Sequence, residues 1–163
     1  SPALHHGAFA DYAAYDGEYM MIVNGANTPG ATVWASSTTV APGTTYYLSA
    51  WVASAVGASP AELNFSINGN PIGTTFTAPS TTGTWEQFFA MWNSGPSTTA
   101  DLSLVNQNTA FSGNDFTIDL IVLGTEKPGG TNTSIIPEPT SMLFLLTGLG
   151  ALGLVAARRR MRR

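Results

Sequence analysis

Apolar and polar positions alternate in short runs along the first 124 residues, and each run ends in turn-forming residues. The alternation is cleanest over 61–67, with Leu63, Phe65 and Ile67 on one side and Glu62, Asn64 and Ser66 on the other. A period of two is that of a half-buried strand. It also runs through 44–56, where Tyr46, Leu48, Ala50 and Val52 oppose Tyr47, Ser49 and Trp51. Similar runs over 18–24, 31–40, 72–77, 84–92, 100–106 and 115–123 complete a series of short, evenly spaced strands. Asn68-Gly69 predicts a tight hairpin, and Gly25–Gly30 and Ala41-Pro42-Gly43 predict loops. No segment before Pro137 has a helical period. The pattern predicts an all-β domain over 1–124, an antiparallel jelly roll or β-sandwich. The last strand is expected to be apolar on both sides. Phe116, Ile118, Leu120 and Val122 would face one way, and Ile121 and Leu123 the other, beside Asp119. That is the pattern of a central strand covered on both faces.

The pattern changes at the C-terminus. Residues 141–157 carry no charge and predict a helix, about 140–157, of roughly 25 Å, near the short limit for a bilayer. Gly148, Gly150 and Gly153 weaken a soluble helix but are common in membrane helices. Arg158, Arg159, Arg160, Arg162 and Arg163 follow directly. Positive residues stay in the cytoplasm, so the rest of the chain is expected across the membrane. Between the two patterns, 125–136 reads as a flexible linker.

The stretch Ile136-Pro137-Glu138-Pro139-Thr140-Ser141, the Gly/Leu-rich run and the arginine cluster stand in that order at the chain end. Residues 137–163 thereby resemble a PEP-CTERM sorting signal. The resemblance implies an exported bacterial protein recognised by an exosortase and cut near Pro137, Glu138 and Pro139. It implies an inner-membrane-anchored precursor, then release to the cell surface or an exopolysaccharide matrix, so the helix is a transient anchor. The alternative is an uncleaved single-pass membrane protein with a structural ectodomain. An exported protein should begin with a signal peptide, whereas this chain begins Ser1-Pro2-Ala3. The expectation is a fragment or processed form, with or without the loss of a first strand.

Charge narrows the function classes. Up to Gly124 the chain has eight acids (Asp11, Asp16, Glu18, Glu62, Glu86, Asp101, Asp115, Asp119) and no Lys or Arg. A body without cations does not grip phosphate, which argues against nucleic acid and nucleotides as partners. Acidic polysaccharides are poor candidates on the same ground unless a metal bridges them, and neutral glycans and calcium fit. With no cysteine, thiol chemistry and disulfides are excluded. Enzyme readings are weak. His5 and His6 are adjacent in an irregular segment, with no sign of the positioned carboxylate a triad needs or of a third metal ligand. Glu62 and Glu86 occupy positions where strands show solvent-facing polar residues. No catalytic residue is expected.

A second resemblance covers most of 16–123. The stretches Tyr19-Met20-Met21-Ile22-Val23-Asn24-Gly25, Thr44-Thr45-Tyr46-Tyr47-Leu48-Ser49-Ala50-Trp51-Val52, Phe65-Ser66-Ile67-Asn68-Gly69, Gly83-Thr84-Trp85-Glu86-Gln87-Phe88 and Ser112-Gly113-Asn114-Asp115-Phe116-Thr117-Ile118-Asp119 carry it. In order and spacing they are similar to carbohydrate-binding-like jelly rolls of the galactose-binding superfamily. The resemblance implies a sandwich of eight or nine strands, often with a structural calcium and sometimes a glycan cleft. Such modules usually end in paired aspartates, whereas here Leu120 follows Asp119. Asp119, with Glu18 and Asp16, is the candidate calcium set, since calcium takes several oxygen ligands. The competing expectation is solvated surface acids. Asp119 falls within an otherwise apolar strand and needs compensation from backbone N–H groups, water or a cation. For a neutral polysaccharide, the candidates are aromatics off the core face, Tyr47, Trp51 and Phe89, sharing one concave face with Glu62 and Asn64. The competing expectation is that these aromatics are covered.

Overall fold

Two four-stranded antiparallel sheets account for nearly all regular structure in the computed structural model, which describes residues 1–129. The strands are β1 (Met21–Val23), β2 (Ala31–Thr39), β3 (Thr45–Ser54), β4 (Glu62–Ile67), β5 (Asn70–Thr77), β6 (Glu86–Asn93), β7 (Thr99–Asn106) and β8 (Phe116–Gly124). One sheet runs β1-β8-β3-β6 and the other β2-β7-β4-β5. The helical residues described are a single 3-10 turn at Pro2–Leu4. Ser1–Gly130 forms one compact unit. The remainder of the linker, the Pro-Glu-Pro tripeptide, the expected membrane helix and the arginine cluster lie outside the described residues. Among the described residues no helix is long and apolar enough to cross a membrane.

Alternation along the strands builds the core. Leu48, Ala50 and Val52 of β3 point inward, as do Leu63, Phe65 and Ile67 of β4, and all six are buried. Phe116 and Ile118 of β8 and Leu102 and Leu104 of β7 complete the cluster. At its centre three rings stack across the sheets. Phe88 lies 4.3 Å from Phe65 and 4.5 Å from Phe76, nearly parallel to both. The β4–β5 hairpin turns through Asn68 (φ 51°) and Gly69 (φ 76°), both left-handed, as a two-residue Asn-Gly loop requires.

Irregularities in the ladders redirect side chains. In β5, Gly73-Thr74-Thr75 stand opposite the single residue Asn64. Gly73 has φ 70°, and a Cβ there would come within 2.7 Å of the Ala90 Cβ, so only glycine fits both the bulge and the packing. In β8, Trp51 pairs with Asp119 and Ser49 with Val122, so Leu120 and Ile121 together oppose Ala50. Leu120 takes φ 45° at this bulge. The extra residue reverses the alternation beyond it. Ile121 and Leu123 therefore pack against the core, while Leu120 and Val122 are 40% and 49% exposed. This corrects the expectation that Leu120 and Val122 continue the face of Phe116 and Ile118.

Candidate functional site

Pairing in the β1-β8-β3-β6 sheet sets which side chains share its outer face. Directly opposed residues point the same way. Tyr47 is paired with Met91 and Gly124, Ser49 with Phe89 and Val122, and Trp51 with Gln87 and Asp119. Because Leu48, Ala50 and Val52 face the core, all these residues lie on the outside. Phe89 is 41% and Met91 64% exposed. Tyr47 and Phe89 meet edge to face, 6.2 Å between centroids. Ser49, small and buried between them, leaves a floor from which the larger groups rise.

Part of this face is covered by the chain's own N-terminal segment. Its backbone is tied down where the Ala10 N–H donates to the Ala55 carbonyl. Tyr12 and Thr117 hydroxyls hydrogen-bond at 2.9 Å. Burial pushes the Tyr12 phenol above its ordinary pKa, and the Thr117 hydrogen bond opposes this more weakly. Tyr15 stacks on Trp51, 3.8 Å between centroids and 14° from parallel. Trp85 makes T-shaped contacts with Tyr12 and Tyr15, and its indole N–H donates to the Ala13 carbonyl. The segment thus straps the Trp51–Thr117 half of the sheet. The Tyr47–Phe89–Met91–Val122 half stays open.

Asp119 sits where strap and bulge meet. Its Oδ2 accepts the Asp16 N–H at 3.1 Å and its Oδ1 accepts the Leu120 N–H at 2.8 Å. Backbone donors therefore supply compensation for the carboxylate, which is half-buried on the outer face rather than held between the sheets. Asp16 is brought to Asp119 by its backbone, and Glu18 is exposed. Among the described residues no three His, Cys, Asp or Glu side chains cluster closely enough to hold a metal.

The sequence candidates for a glycan face are divided between the sheets. Tyr47, Trp51 and Phe89 share the face just described, with Trp51 stacked against Tyr15. Glu62 and Asn64 belong to β4, in the other sheet. Since Leu63 and Phe65 point into the core, Glu62 and Asn64 point away from it, on the opposite side of the sandwich from Tyr47. Asn64 Oδ1 accepts the Thr75 hydroxyl there, and Thr77 opposes Glu62. The single concave face expected from sequence does not form from these five residues. Glu62 and Glu86 also stand on different sheets. Tyr15, Val122 and Lys127 join the aromatic face without having been singled out. Val122 was hidden by the bulge, and Tyr15 by the irregular pattern of its segment. Two further concavities lie outside the Tyr47–Phe89 half, the first at the β1 edge of the same outer side, where Ile22 pairs with the outward-facing Thr117, and the second on the core side, against Leu48 and Leu102. One, of about 450 Å³, is lined by His5, His6, Phe9, Met20, Ile22 and Asn24. The other, of about 310 Å³, is lined by residues including Trp34, Tyr46, Leu102, Ile121 and Leu123.

Comparison with known proteins supplies two findings. Residues 136–160 match the PEP-CTERM protein-sorting motif. This motif implies an exported, membrane-anchored precursor. The 1–129 fold is similar to solved carbohydrate-binding modules. The C-terminal domain of EclA, a sugar-binding protein, matches with a TM-score of 0.56 at 18% identity, over 70% of this chain and 84% of that one. The N-terminal CBM22-1–CBM22-2 tandem domain of Xyn10C from Paenibacillus barcinonensis matches with a TM-score of 0.51 at 18% identity, over 74% of this chain and 38% of that one. At these identities the likeness is one of fold, the jelly roll. No curated protein matches the chain in sequence.

Proposed function

We propose that the protein is an exported, non-catalytic surface protein that binds polysaccharide on the outer face of the β1-β8-β3-β6 sheet. Its C-terminal tail serves as the sorting signal for an exosortase, and the matrix exopolysaccharide is the partner. One observation carries the binding role: the open half-face of Tyr47, Phe89, Met91 and Val122 around Ser49. A contiguous exposed apolar surface on an exported domain marks an interaction site. Sugar rings present C–H faces that stack on aromatic rings, while Gln87 and Asn93 can meet their hydroxyls at the margins. A fold alone assigns no function, so the sugar-binding neighbour supports this reading without carrying it.

The test is binding of the full chain, in mild detergent, to a panel of polysaccharides with and without calcium. At least one polysaccharide should bind. Phe89→Ala should weaken that binding about tenfold, since a lost stacking contact of about 1.5 kcal/mol corresponds to that ratio. Glu62→Ala, on the other sheet, should leave it unchanged. Equal binding by Phe89→Ala and the parent removes the proposed face. A structural calcium would show in the same samples as a melting temperature lowered by chelator, because a ligand of the folded state stabilises it. An unchanged temperature removes the calcium reading and leaves Asp119 to its backbone donors.

The sorting role rests on the match at 136–160. In a host with a functional exosortase, Glu138→Ala should leave the precursor at its full size while the parent is shortened. Normal shortening of the variant counts against Pro137-Glu138-Pro139 as the recognised element.

A further inference from the structure

Lys127 is the only Lys or Arg among residues 1–129. From sequence it belongs to the linker after the last strand. The structure instead places its Nζ over the Phe89 ring, 5.6 Å from the centroid, within the range of a cation–π contact. Since β8 ends at Gly124 and β3 lies between β8 and β6, the Lys127 side chain reaches past β3 to stand over Phe89. The one cation of the domain therefore stands on the open aromatic half-face.

We infer that Lys127 makes this face selective for polysaccharides bearing carboxylates, of the uronic-acid class. The inference rests on the sheet-face reading above and names its ligand class. Lys127 is exposed, and Phe89 is still 41% exposed beneath it. A sugar ring lying on Tyr47 and Met91 would have its substituents beside Nζ. A carboxylate there pairs with the ammonium, whereas a hydroxyl gains much less.

The rest of the face sets the direction of binding. The paired positions of the open half, Thr45 with Asn93, Tyr47 with Met91 and Gly124, and Ser49 with Phe89 and Val122, include no acid. Asp119 and Asp16 lie at the strapped end, and Glu126 is the exposed neighbour of Lys127. A carboxylate-bearing unit is thus drawn to the Lys127 Nζ over Phe89 and repelled from Glu126 beside it and from the Asp119 end. Screening over about 8 Å at physiological salt confines the effect of the domain's other acids. Acidic polysaccharides were poor candidates from the sequence because 1–124 has no cation, and that ground does not extend to a face that Lys127 joins.

The experiment compares an oligogalacturonate with a neutral oligosaccharide of equal length, using the full chain in mild detergent. The parent should bind the acidic ligand more tightly, and that preference should shrink as salt is raised. Lys127→Gln should lose about three- to fivefold of the acidic affinity, as expected for one exposed ion pair, with neutral binding unchanged. Lys127→Arg should restore it. The inference is overturned if Lys127→Gln binds the acidic ligand as the parent does. It is also overturned if the variant binds the neutral ligand more tightly, because Lys127 then merely covers the ring. Phe89→Ala separates the two levels. If it weakens both ligands equally in a parent that shows no acidic preference, the face binds sugar and only the role of Lys127 fails. If neither ligand binds the parent, the face reading and the inference fall together.

Discussion

Phe65→Ala should destabilise the domain by about 3–5 kcal/mol, the range for emptying a buried phenylalanine site. Phe65 is 1% exposed and lies parallel to Phe88, which lies parallel to Phe76. The stack bridges the two sheets, because Phe65 and Phe76 come from β4 and β5 and Phe88 from β6. Removing the Phe65 ring leaves a void against Phe88 from both sheets. β4, which carries Phe65, is joined by ladders to both β5 and β7 and has little freedom to collapse into it. A loss of this size is a large fraction of a typical total of about 5–15 kcal/mol. In thermal melts it should appear as a fall on the order of 10–20 °C. Phe111→Ala is the contrast. Phe111 is 91% exposed, and its loss should change stability by no more than about 0.5 kcal/mol. Similar melting curves for the two variants would show that the stack does not anchor the sandwich.

Most of this core was legible in the sequence, for a local reason. In β3 and β4 an apolar core residue recurs at every second position, Leu48 to Val52 and Leu63 to Ile67, so each side chain's face follows from its position. Asn68-Gly69 likewise encodes its own turn. The candidate face was less legible because three non-local events shape it. The bulge at Leu120 reverses the phase of β8, and no glycine marks it. The strap's position depends on Tyr12, Tyr15 and Trp85, whose contacts span from 36 to 105 residues of sequence. The division of Glu62 and Asn64 from Tyr47 and Phe89 is a matter of sheet membership, and alternation within a strand is silent about that. Lys127 is the clearest example. Its neighbours Glu126 and Pro128 give it the look of a tether, and only the path after Gly124 brings it to Phe89.

The strap explains why half of one sheet can remain open. Tyr15, Tyr12 and Trp85 cover the outer aromatic surface around Trp51, which would otherwise join the open half in a larger apolar patch. Asp119 fastens the strap to the bulge through the Asp16 and Leu120 N–H groups. The same bulge turns Val122 outward into the open half. Local irregularity, strap and exposed face are therefore parts of one arrangement. The other sheet shows a different chemistry on its outside. Its paired positions include Ser37 with Asp101, Thr39 with Thr99, Ser66 with Pro71 and Glu62 with Thr77, without an aromatic residue among them.

Asn106→Leu should cost about 2–4 kcal/mol, because the site is fully buried and the substitution removes an amide that makes three hydrogen bonds. The reason lies in what the amide does. Asn106 Nδ2 donates to the carbonyls of Ala26 and Asn108, and Oδ1 accepts the Asn108 N–H. Asn114, also buried, sends its Nδ2 to the same two carbonyls. Asn108 Nδ2 donates in turn to the carbonyls of Ser59 and Pro60, and its Oδ1 accepts the Ala110 N–H. Three asparagines thus join the segments around residues 26, 60 and 110 at one end of the sandwich, where the chain has no ladder to satisfy its backbone. Gly25 belongs to the same junction, since a Cβ there would run into the Asn114 amide. With leucine at 106, the Asn108 N–H loses this acceptor, and each of the two carbonyls keeps only the Asn114 donor. An unpaired buried donor costs more than a made hydrogen bond contributes, so the loss should exceed that of an exposed amide. Urea titration gives the stability change. Hydrogen exchange should show faster exchange of the amides around 26, 60 and 110 while those of β4 keep their protection relative to global unfolding. A leucine variant as stable as the parent, with unchanged exchange at these three segments, would mean that packing alone holds this end of the fold.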